Sequence, residues 1–172
     1  MSKTLYVRYR GDGFWAYDVA VGVFLKHLID SAMAHANKED ALWLMPCVEQ
    51  WRVNAIVSDL GLHLDEEWSD AQRQTVYGLI EEACNQLEAR HSIPWDAMKD
   101  WDILDGQGVR SRGSTQFPTA PVVELAHAVK ALLSIASGDL ISFSSWRFKE
   151  DQLASLTGTL CARRLILRYN WR

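Results

Sequence analysis

Within the first 35 residues the hydrophobic pattern changes period, and that change narrows what the chain can fold into. Over "KTLYVRYR", Leu5, Val7 and Tyr9 alternate with Tyr6, Arg8 and Arg10, the two-residue rhythm of a half-buried strand. "GDG" at positions 11–13 breaks the run. Val19, Val23, Phe24, Leu28 and Ala32 then recur at helical spacing across 19–35, with Asp18 placed as the N-cap. The chain thus opens on a strand and passes at once into an amphipathic helix.

The junction "RYRGDGFWAYDV" also fits a permissive dinucleotide fingerprint, G-x-G-x-x-A, through Gly11, Gly13 and Ala16. The chemistry argues against that use. A phosphate cradle needs a buried parallel strand and a helix whose first amides face the pyrophosphate. This strand exposes arginines, Asp12 puts a negative charge where phosphate would sit, and Phe14 and Trp15 obstruct close backbone approach. The cap at Asp18 lies too far beyond the second glycine, and no repeated βαβ units follow. The loop reads as structural, with Phe14 and Trp15 pinning the first strand to the first helix.

Further along, Pro46 suits a first helical turn, and "CVEQWRVNAIVSDL" reads as a helix ending at Gly61. Ser69 and Gln72 form a capping box before "AQRQTVYGLIEEACNQLEAR", whose buried stripe is Val76, Leu79, Ile80, Ala83 and Leu87. Residues 91–118 read as loop, with a short hairpin across Asp105–Gly108. Thr119 and Pro121 open another helix, "VVELAHAVKALL", with Gly138 beyond its end. "LISFSSWRF" and "LCARRLILRYNWR" read as strands flanking a short helix, "KEDQLASL". The expected fold is a single domain over 1–172, α+β and mainly helical, with a small sheet from N- and C-terminal strands that pair with each other.

Composition excludes several classes of function. No run approaches the roughly 18 apolar residues of a membrane span, and the N-terminus lacks an apolar signal core, so the expected location is cytoplasmic. Cys47, Cys84 and Cys161 are far apart and read as buried free thiols, with no ligand spacing for zinc and no metal or cofactor expected. The five histidines form no metal set; His27 and His35 stand two turns apart, and His127 reads as a core or rim histidine. Motifs such as G-x-S-x-G are absent. Adjacent carboxylates at Glu66–Glu67 and Glu81–Glu82 read as solvated faces, and "RSRG" at 110–113 as a basic loop.

What stands out is where the charge sits. Residues 59–105 carry twelve acidic and three basic groups, whereas 106–172 carry four acidic and nine basic. Within the acidic third, "LDEEWSD" and "PWDAMKDWDILDG" interleave Asp65, Glu66, Glu67, Asp96, Asp100, Asp102 and Asp105 with Trp68, Trp95 and Trp101. Indoles offer large anchors at low entropic cost, and carboxylates around them steer a basic partner. The competing reading is that these tryptophans fill the core while the acids merely solvate the loops. A nucleic acid is disfavoured as partner, since this surface repels phosphate.

An acidic, Trp-rich chain without a catalytic signature, carrying "RYRGDGFWAYDVAVGVFLKHLID" and "TAPVVEL", resembles the immunity proteins of bacterial polymorphic-toxin systems, contact-dependent or type VI. The resemblance implies a stoichiometric inhibitor that caps a cognate toxin, and a basic toxin such as a nuclease suits the acidic face. Two other readings stay open. One is an enzyme assembled from scattered residues such as Glu124, His127, Arg110 and Arg112; the other is a homodimeric adaptor using exposed tryptophans.

Overall fold

The computed structural model describes residues 4–35, 42–57, 60–104 and 115–135. The "GDG" question is settled by a hairpin. Strand β1 (Thr4–Tyr9) pairs antiparallel with β2 (Asp12–Tyr17), Tyr9 opposite Asp12, leaving Arg10 and Gly11 as a two-residue turn. Both have positive φ, 49° and 86°, the backbone that matches the strands' right-handed twist. Gly13 is required for a different reason. A Cβ there would lie 2.3 Å from the Val7 carbonyl oxygen and 2.7 Å from the Tyr6 ring. Tyr6 therefore lies over the glycine and meets Trp15, its cross-strand partner, with ring centroids 5.2 Å apart.

Period-two alternation continues through β2. Phe14 and Ala16 are buried, whereas Trp15 is 36 % exposed on the outer face. Phe14 thus enters the core, but Trp15 packs on the strand beside it rather than pinning β1 to the helix. That corrects the expectation for Trp15.

Helix α1 (Asp18–His35) follows without a loop, and the Asp18 carboxylate accepts the Val19 N–H at 2.7 Å. Its expected stripe is present, but Val21, Leu25 and Ile29 are buried too. A helix apolar on nearly all sides belongs in the middle of a fold. Here α1 packs against α2 (Leu44–Ile56), α3 (Asp70–Glu88) and α4 (Ala120–Ile135).

Helix α2 ends at Ile56, short of the Gly61 that the sequence indicated. Asn54 explains the early stop. Its side chain accepts from Gln50 at 3.1 Å and donates to the Gly61 carbonyl at 3.0 Å, fastening the returning chain to the helix. The return delivers β3 (Leu62–His63) parallel to β1, completing a sheet of order β2-β1-β3. Helix α3 starts with the expected box: Gln72 N–H donates to Ser69 Oγ at 3.3 Å, and Ser69 N–H to Gln72 Oε1 at 2.8 Å. The expected α3 stripe is buried.

Residues 91–104 are more ordered than the loop expected. Strand β4 (Ser92–Pro94) pairs antiparallel with β5 (Gln116–Pro118), followed by a single 3-10 turn at Trp95–Met98. Ile93, Met98 and Ile103 are buried, and Leu104 N–H donates to the Ala55 carbonyl at 2.8 Å. Helix α4 opens on buried Thr119, whose carbonyl accepts from Val122 and Val123.

Four α-helices and two small sheets among the described residues make the fold α+β and mainly helical. No described helix is long and apolar enough to cross a membrane. The hairpin expected at Asp105–Gly108, the elements expected after Gly138, and the pairing of terminal strands lie outside the described residues.

Candidate functional site

The two acidic stretches are held at different ends of α2. Trp68 lies against Cys47 in the first turn of that helix, whereas Leu104 is bonded to Ala55 in the last. Eight helical residues separate these anchors by about 12 Å. Asp65, Glu66 and Glu67 are exposed beside the end of β1, where Arg10 donates to the Glu66 carbonyl at 3.2 Å. Trp68, though flanked by acids, is only 5 % exposed. It is a core residue here rather than an exposed anchor: burying the indole is favourable, and the neighbouring carboxylates keep their water.

The second stretch forms a surface of its own. Asp96, Asp100 and Asp102 are exposed, and Trp95 and Trp101 are half-buried beside them in the sequence. Trp95 packs edge-on to Phe117 of β5, with centroids 5.3 Å apart. Trp101 bridges to α1, edge-on to buried His27 at 5.8 Å and beneath the Lys26 ammonium at 5.7 Å. Both indoles hold the segment down through these contacts. Asp105 lies outside the described residues.

A shallow groove of about 310 Å³ runs along this surface, lined by Lys26, Asp30, Arg52, Asp100, Trp101 and Asp102 among others. Its cations are already engaged: Lys26 by Asp30 at 2.5 Å and Arg52 by Glu49 at 2.6 Å. Lys99, next to the groove, pairs with Asp96 at 2.5 Å. Among the described residues, Asp100 and Asp102 take part in no side-chain hydrogen bond or ion pair. The lining is therefore mixed in charge, and the segment 96–102 that borders it is acidic.

A second cluster was not legible in the sequence, because its members lie 43 residues apart and meet only when α3 packs on α4. Cys84 Sγ is 3.7 Å from Glu88 Oε1 and 3.8 Å from His127 Nε2, and Glu88 Oε1 is 3.6 Å from His127 Nε2. Burial, with help from the Glu88 carboxylate, pushes the Cys84 thiol up to about 11. That shift runs opposite to the lowering that activates a nucleophilic thiol. Glu124, one turn before His127, is itself raised by burial while the imidazole opposes the shift. Arg110 and Arg112, the other members of the enzyme reading, lie outside the described residues. No family model, curated protein or solved structure matches this chain.

Proposed function

We propose that this protein is a non-catalytic binder of the immunity type, a stoichiometric inhibitor of a basic protein toxin in the cytoplasm. Its binding face is the rim carrying Asp96, Asp100, Trp101 and Asp102. The observation behind this reading is a pair of exposed carboxylates, Asp100 and Asp102, which take part in no side-chain hydrogen bond or ion pair among the described residues, on a segment fastened from below. Met98 and Ile103 anchor it in the core, and a backbone bond joins it to α2. A face already held in shape loses little entropy on binding, and like charges on it accelerate encounter with a cation-rich partner. Free thiols at Cys47 and Cys84 accord with a reducing compartment.

The test begins with capture of the tagged protein from its host and identification of any chain that co-elutes in equal amount. The immunity reading requires that this chain kills cells unless the captured protein is also expressed. Asp100→Lys/Asp102→Lys should then slow association roughly tenfold or more at low salt and fail to protect. A double variant that associates and protects like the native chain would assign recognition to another face.

A further inference from the structure

Cys84, Glu88 and His127 present one sulfur, one oxygen and one nitrogen to a single point on the α3–α4 seam. Cys84 and Glu88 stand one helical turn apart on α3, so both side chains leave the same face. His127 approaches from α4, where Lys130 also reaches back across the seam to Glu81 at 3.4 Å. The three edges of the donor triangle measure 3.6, 3.7 and 3.8 Å. In a tetrahedral zinc centre, metal–ligand bonds of about 2.0–2.3 Å give donor–donor edges of about 3.3–3.6 Å. The present triangle needs only a few tenths of an ångström of contraction.

We propose that this triangle is a three-ligand zinc site. Donor chemistry selects the ion: a thiolate and an imidazole favour zinc over calcium or magnesium, which take oxygen shells. Charge balances as well, because thiolate and carboxylate together neutralise a divalent cation. The nearest ammonium does not compete, since Lys130 is drawn to Glu81 and sits over the Tyr77 ring, 4.5 Å from its centroid. Burial is graded across the site. Cys84 is 3 % exposed, whereas the side chains of His127 and Glu88 are 44 % and 52 % exposed. Zinc would therefore sit at the rim of the seam, with its fourth corner open to water. By tying α3 to α4 it would stabilise the chain in proportion to its affinity.

Cobalt is the probe, because a thiolate ligand gives Co²⁺ a near-ultraviolet charge-transfer band that oxygen and nitrogen donors do not. The full chain, freed of metal by a chelator, is titrated with cobalt chloride and then with zinc chloride as competitor. The expected result is one equivalent bound with the charge-transfer band, displaced by zinc. The band should survive Cys47→Ser/Cys161→Ser, which leaves Cys84 as the only thiol. Glu88→Gln and His127→Gln alter exposed side chains and keep the fold; each should weaken binding by about 10–100-fold or more. Cys84→Ser should abolish the band. No band in the native chain, or unchanged affinity in Glu88→Gln and His127→Gln, would overturn the proposal and leave the trio as a hydrogen-bonded thiol, carboxylate and imidazole.

Discussion

His27 carries a consequence out of proportion to its size. It is 4 % exposed, Trp101 packs on its ring, and its Nε2 has no hydrogen-bond partner among the described residues. Burial lowers its pKa below 6.5; Gln86 and Asp30 oppose that shift, while Arg90 and Lys26 add to it. Below pH 6.5 the unfolded chain takes up a proton that the folded chain resists. Stability from this group is thus complete above that pH and is lost as the pH falls below it, by at most about 1.4 kcal/mol per pH unit. Urea midpoints at pH 7.5 and pH 5.5 should diverge in the native chain, and by visibly less in His27→Gln. Gly13 offers a second test, independent of pH. Its missing Cβ makes room for the Val7 carbonyl and the Tyr6 ring, so Gly13→Ala should cost about 1–3 kcal/mol and lower Tm. An unchanged Tm would mean the hairpin yields more easily than its geometry implies. Single residues also show where sequence reading stops. Trp68 among four acids looks like a surface anchor, yet only its placement beside Cys47 shows that the indole faces inward.

At the level of elements, legibility followed length and capping. Helices α1, α3 and α4 were visible because each repeats its apolar face over several turns and begins at a residue able to satisfy free amides. The capping box makes that claim measurable. Ser69→Ala and Gln72→Ala should each cost on the order of 1 kcal/mol. Because the two side chains satisfy each other's backbone, the double variant should cost less than the separate losses combined. Additive losses in urea denaturation would show that the box does not act as a unit. The strands were harder to read. Two or three residues at β3, β4 and β5 are too few to display a period. In β2 the alternation was present, but glycine and two aromatics disguised it as a turn. The early end of α2 was hidden for another reason: Asn54 stops the helix through a bond to Gly61, seven positions on.

At the scale of the whole molecule, both candidate sites depend on helices meeting across long stretches of chain. The acidic rim is carried by residues 96–102, yet α1 and α2 fix its position; the donor triangle needs α3 and α4 together. Neither arrangement can be inferred from local spacing. What makes both possible is α1, buried on nearly every side although it is the first helix made. During synthesis its apolar flanks are covered in steps, by α2, then α3, and the flank that meets α4 stays open until that helix, some hundred residues later, has left the ribosome. Nascent chains arrested before Ala120 should therefore bind chaperones and be cut more readily by protease within Val21–Ile29 than the released full-length chain, which should resist. For this protein, birth is a prolonged exposure of its own centre, and the last described helix ends it.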